Sequence, residues 1–167
     1  MGCIITFTGA HATGKTTSVL EKAREIKIKY PESSVCLLQE TASFCPLPIN
    51  QNTTPEAQLW IFATQIAKEL ELCASWDIVI SDRICIDNIA YTYRAGFHDL
   101  AERMLSIAAL NLHLYKEIYF KSIKNNSYLF ADGIRSVEES FRSEIETILL
   151  NYYSRLGLTD SPGFFIV

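Results

Sequence analysis

No stretch of this chain approaches the roughly 18 consecutive apolar residues that a membrane span needs, and its first residues lack the basic-then-apolar layout of a secretion signal. Those two absences predict a soluble, cytoplasmic protein with no membrane partner. C-x-x-C pairs are absent as well: Cys3, Cys36, Cys45, Cys73 and Cys85 are scattered, which excludes the usual zinc and redox spacings. Several of them fall in apolar runs and read as small buried hydrophobes in a reducing compartment. Basic charge is not in excess either, with 15 Lys+Arg against 19 Asp+Glu and a formal net charge of −4. That balance argues against a constitutive nucleic-acid binder. There is no internal repeat, low-complexity tract or linker, so 1–167 is read as a single domain. At 49% hydrophobic residues it has enough apolar material for a real core.

What is present is an alternation of short Val/Ile/Phe-rich runs with longer amphipathic stretches. This pattern predicts parallel strands joined by helices. Strands are expected at 3–8, 34–39, 77–81, 115–120 and 163–167, each apolar enough to be buried on both faces. Helices are expected at 14–29, with a stripe of Val19, Leu20, Ala23, Ile26 and Ile28, and at 55–74, opening on Pro55 after Thr54. Three more are expected at 83–95, 98–111 and 137–156, the first and last of these ending at Gly96 and Gly157. The segment 44–54, with Pro46 and Pro48, reads as an irregular loop.

Between the first strand and the first helix stands Gly9-Ala10-His11-Ala12-Thr13-Gly14-Lys15-Thr16-Thr17. Gly9, Gly14, Lys15 and Thr16 satisfy G-x-x-x-x-G-K-[ST] in its required strand–loop–helix context. A chance match in a chain this long has odds on the order of one in a hundred. The glycines let successive N–H groups point inward at phosphate oxygens, and the positive end of the helix adds to the field. Lys15 would reach the β- and γ-phosphates, the Thr16 hydroxyl would ligate magnesium, and Thr17 would bond an α-phosphate. His11 is read as a loop position pointing outward.

Two further absences narrow the chemistry. A guanine-reading Asn-Lys-x-Asp is missing, the nearest string being Lys124-Asn125-Asn126-Ser127, and no strand ends in the Asp-Glu pair of helicase-type ATPases. The strand Ile78-Val79-Ile80-Ser81 leads instead into Asp82-Arg83. There a carboxylate can hold a metal's water shell, and a guanidinium can clamp a phosphate bidentately. Glu40 closes the second strand at the same rim and is a candidate base for an acceptor hydroxyl. Ala131-Asp132-Gly133-Ile134-Arg135 and the later Arg142 read as a lid-like segment over about 121–142, its arginines closing on the transferring phosphate. Gln58, Trp60, Ile61 and Gln65, with 40–50, would build the acceptor pocket, because amides and aromatic faces can read and stack on a base. Leu59, Phe62 and Ile66 are expected in the core, and Asp87 and Tyr91 on a helix surface.

Taken in order, GAHATGKTT, Gln39-Glu40, the Pro-rich loop, PEAQLWIFATQ, SDRICIDNIAY and DGIRSVEESFR resemble the AAA-type P-loop kinase family. The chain is similar to nicotinamide riboside kinase domains and, more distantly, to thymidylate kinases and deoxynucleoside kinases. The resemblance implies a three-layer α/β P-loop fold with strand order 2-3-1-4-5. It also implies transfer of the ATP γ-phosphate, with Mg2+, to a nucleoside, a nucleoside monophosphate or a related acceptor. Glu40 then matches the base of deoxynucleoside kinases by position, and Asp82 and Arg83 their Asp-Arg pair. His11 departs from thymidylate kinases, which usually carry an acidic residue within this loop. A regulatory P-loop ATPase or GTPase switch, and a kinase acting on a hydroxyl within DNA, are the rival readings. Nucleic acid ranks below small acceptors because the chain is acidic, and a homodimer stays open.

Overall fold

The computed structural model describes residues 1–125 and 139–167. Five strands form one parallel sheet: β1 (Cys3–Thr8), β2 (Val35–Leu38), β3 (Ile78–Asp82), β4 (Tyr115–Phe120) and β5 (Phe164–Ile166). Their order across the sheet is β2-β3-β1-β4-β5, the order expected. Parallel pairing points every strand's carboxyl end the same way, so the segments after β1, β2, β3 and β4 emerge along one edge.

The helices are α1 (Lys15–Lys29), α2 (Pro55–Ser75), α3 (Cys85–Arg94), α4 (His98–Ala108) and α5 (Glu139–Arg155). α2 starts where its chemistry says it should. The Thr54 hydroxyl accepts from the Ala57 N–H, Pro55 takes the first helical position, and Glu56 meets the positive end of the dipole. α3 and α5 stop against Gly96 and Gly157, both at positive φ. The stretch expected to continue α4 to residue 111 tightens instead into a 3-10 turn over Ala109–Leu114 that feeds β4. None of the described helices is long and apolar enough to cross a membrane.

Side chains alternate across the strands and divide the core in two. On one face Ile5, Phe7 and Ile80 pack with Val19 and Ile26 of α1. On the other, Ile118 and Phe120 meet Phe62 of α2, Ile84 to Ile89 around α3, Met104 of α4, and Ile145, Leu149, Tyr152 and Tyr153 of α5. The edge strands do not follow the expectation of burial on both faces: Leu37 of β2 and Phe165 of β5, at the two margins of the sheet, are each 40% exposed. The stripe drawn on α1 is too wide, since Leu20 and Ile28 lie on its solvent side while Val19 and Ile26 face the sheet. Leu59 of α2 likewise points outward, whereas Phe62 is buried. Of the five free cysteines, Cys73 and Cys85 are buried and Cys3, Cys36 and Cys45 are half-buried.

Candidate active site

The loop 9–14 leaves β1 at the centre of the carboxyl edge. Gly9 has φ 127, and a Cβ there would stand 2.6 Å from the Lys121 carbonyl oxygen, so only glycine lets the loop pass the end of β4. Gly14, at φ 73, begins α1 without any side-chain cap, so the first amides of the helix keep their donors for a ligand. Lys15 is buried and folds back on the loop, its Nζ donating to Ala10 O at 2.5 Å and to Thr13 Oγ1 at 3.3 Å. Burial, and then the Arg83 charge nearby, lower the Lys15 pKa to about 7.

Thr16 Oγ1 donates to Asp82 Oδ2 at 2.5 Å, tying the start of α1 to the end of β3. These are two hard oxygen donors side by side at the mouth of the phosphate loop. Their chemistry fits magnesium, which accepts one carboxylate and a hydroxyl while keeping several waters. Among the described residues no cluster of three or more His, Cys, Asp and Glu offers an all-protein metal cage.

Arg83 is the hub. The Arg83 N–H bonds Phe7 O at 3.0 Å, continuing the β1–β3 ladder, and its φ of 77 then turns the side chain back over the loop. For that reason α3 begins at Cys85 rather than at the expected residue 83. The guanidinium donates from Nε to Glu40 Oε1 at 2.7 Å, and from Nη1 to Gly9 O at 3.1 Å and Asp87 Oδ1 at 3.2 Å. Its carbon lies 5.4 Å from the centre of the Tyr91 ring. Glu40 does not close β2, which ends at Leu38. It precedes a 3-10 turn, Thr41–Phe44, and reaches the rim from there.

Asp87 and Tyr91 are not on the helix surface. Asp87 is 1% exposed and collects four donors: Thr8 Oγ1 at 2.8 Å, Gly9 N at 3.3 Å, Ile84 N at 3.2 Å and Arg83. It thereby caps α3, fixes the entrance of the loop and holds Arg83 at once. Burial pushes its carboxyl above the ordinary value, while Arg83 and Lys15 pull it back. Reading missed it because an Asp four residues after an Arg is common on exposed helices. The usable signal was that Asp87 sits in the first turn of α3, directly beyond the Asp-Arg pair.

His11 is also a correction: it is 6% exposed and turns inward, its ring 5.9 Å from that of Phe141. Phe141 lies 6.2 Å from Tyr91 as well, which lays the first turn of α5 against both the loop and α3. Next to it Arg142 is 1% exposed, with Nη2 3.5 Å from Ala12 O and a buried Nε that has no partner among the described residues. Of the lid-like segment, Asp132, Gly133 and Arg135 lie outside the described residues.

The glutamines expected to read a base are used by the protein itself. Gln58 gives Nε2 to Thr53 Oγ1 at 2.7 Å and accepts from Asn88 Nδ2 at 2.6 Å and Thr92 Oγ1 at 3.1 Å. Gln65 accepts from the Thr41 hydroxyl and donates to Glu69 Oε1 at 2.9 Å. Trp60 is half-buried and Ile61 is buried.

A family model described as an AAA domain matches residues 4–159. The chain belongs to that family. Its fold is that of P-loop kinases of known structure. A thymidylate kinase from Ehrlichia chaffeensis superposes with TM-score 0.71 at 17% identity, covering 99% of this chain and 92% of the kinase. The NadR protein in complex with NR gives TM-score 0.73 at 22% identity. NadR in complex with NAD and AMP-PNP gives 0.67 at 20%. This AAA-family chain is covered to 99% in both, and spans 45% and 44% of the two NadR chains. No curated protein matches its sequence.

Proposed function

We propose that this AAA-family protein is an ATP-dependent phosphotransferase whose acceptor is a nucleoside, a nucleoside monophosphate or a similar small hydroxyl or phosphate compound. One observation carries the reading: the phosphate loop with Lys15 and the acidic rim of Glu40 and Asp82 meet on one sheet edge, joined by Arg83. A switch that only senses nucleotide has no need of a base and a guanidinium on the acceptor side. The shared fold of a thymidylate kinase, and of NadR holding AMP-PNP, supports the same class.

In this reading the loop amides from Gly9 to Gly14 and the first amides of α1, through Thr17, bind the triphosphate oxygens. Lys15 leaves Ala10 O to bridge the β- and γ-phosphates. Thr16 and Asp82 would hold Mg2+, which supplies charge neutralisation on the β,γ-oxygens when bound. Glu40 takes the proton of an acceptor hydroxyl as its oxygen bonds to the γ-phosphorus, and the bond from that phosphorus to the β,γ-bridging oxygen breaks to release ADP. Arg83 orients Glu40 and neutralises acceptor-side charge, while Arg142, beside Ala12, does so on the donor side.

The test is incubation with γ-labelled ATP and Mg2+ against nucleosides, monophosphates and short DNAs. Label in a nucleoside or monophosphate is the expected result. Label found only in inorganic phosphate across the whole panel overturns the proposal in favour of a hydrolysing switch. Label in DNA alone moves the acceptor into nucleic acid.

A further inference from the structure

Behind the rim runs a buried polar chain that the proposed chemistry does not touch. Glu69, on α2, is fully buried. Its Oε2 accepts from the Tyr115 hydroxyl at 2.6 Å, its Oε1 accepts from Gln65 Nε2 at 2.9 Å, and the Cys85 backbone also donates to it at the start of α3. Gln65 in turn accepts from the Thr41 hydroxyl, and its Nε2 lies 3.5 Å from the Arg83 carbonyl oxygen. The Gln65 amide thus ties the segment that carries Glu40 to the residue that pairs with Glu40.

An amide can sit either way round. The Arg83 carbonyl can only accept, so the Gln65 NH2 is turned toward it and Glu69, which leaves the Gln65 oxygen for the Thr41 hydroxyl. A buried carboxyl is costly unless its oxygens are satisfied, and packing of apolar residues would fill the same space without that cost. Here the hydrogen bonds of Glu69 lead to Gln65 behind the rim, to the start of α3 and to β4.

We infer that Glu69 is a positioning residue: acting through Gln65 and Thr41, it fixes the spacing between Glu40 and Arg83 on the acceptor side of the site. The inference rests on the kinase reading for its consequence in turnover, and on geometry alone for the linkage. Glu69 touches neither donor nor acceptor, so its removal acts on rate and leaves the phosphate loop intact.

Two readouts separate these levels. The first is backbone amide exchange over 41–44 in the full chain, compared among wild type, Glu69→Gln and Thr41→Val at matched distance below their melting temperatures. Exchange there should quicken about tenfold or more in both variants, with the loop 9–14 unchanged. Unchanged exchange over 41–44 in both variants overturns the linkage, whether or not the protein transfers phosphate. The second is steady-state transfer from ATP to the acceptor found with wild type. Thr41→Val and Glu69→Gln should each lower kcat about tenfold with KM for ATP within twofold, the scale seen when groups behind a site are removed. The double variant should be no slower than the worse single one, and Thr41→Ser should restore the rate. Wild-type kcat in both single variants overturns the positioning role while leaving the kinase reading intact. Absence of transfer by wild type sinks the kinase reading and leaves the exchange result to judge the linkage.

Discussion

Replacing Asp87 with Asn removes one charge and changes almost no volume, which makes it a clean probe of the hub. Asp87 is 1% exposed, and Arg83, itself 8% exposed, keeps Glu40 as its one ion-paired carboxylate among the described residues once Asp87 is neutral, with the Asp82 charge nearby. The new NH2 group also meets donors. Thr8 can rotate its hydroxyl to accept, but the Ile84 and Gly9 amides cannot. Removing one partner of a buried ion pair costs roughly 3–5 kcal/mol, and the surviving Glu40 contact places this case near the lower end, about 3 kcal/mol. For a chain of this size that is a fall in Tm of roughly 6–12 °C. Urea unfolding at pH 7.5 followed by circular dichroism reads the free energy directly, provided the slope with denaturant is unchanged. A loss below about 1 kcal/mol would show that Arg83 needs no second carboxylate, and the account of the hub as a charge-compensated joint would fail.

Three other outcomes follow from the same geometry. Lys15→Ala should abolish phosphate transfer, because among the described residues no other ammonium sits within the loop; retention of most of the ATP-dependent activity would remove the site assignment. Glu40→Gln should reduce kcat by about 10²-fold or more while ATP binding, followed by calorimetry, is unchanged; equal kcat would strike Glu40 as the base. Burial pushes the Glu69 carboxyl up to about 7 from 4.5, with Tyr115 and Gln65 opposing. The folded state therefore holds this proton where the unfolded state has lost it, and stability contributed by the neutral group disappears as pH rises from about 4.5 through about 7. Unfolding free energies of wild type minus Glu69→Gln should fall by about 3 kcal/mol across that window, and a flat difference would refute the shift.

The parts of the fold that were legible are those written in local pattern. The apolar runs, the P-loop and the Pro55 and Gly96 punctuation each depend on neighbours in sequence, and from them the βα order follows, while the sheet order was legible only through the family resemblance. Which face a residue takes depends on what the rest of the chain puts there. Leu20 and Ile28 have the spacing of a core stripe, yet no second layer covers the outer side of α1. His11 turns inward because Phe141, 130 residues later in the chain, fills the space beside it. Asp87 is buried because α3 starts just past the strand end, under the loop, and periodicity alone cannot say so. Gln58 and Gln65 have the chemistry of base readers, but their partners Asn88, Thr92, Thr41 and Glu69 come from elsewhere in the fold and claim their amides first.

The Lys15 ammonium resting on Ala10 O has a bearing on how a guest would be received. The Lys15 amine already ties down a carbonyl of the loop, so the turn is braced by its own side chain and does not have to be assembled around an arriving anion. Capture is then an exchange of one oxygen for another at a single nitrogen. In the proposed reading it needs a swing of one side chain and no refolding of the strand-to-helix turn.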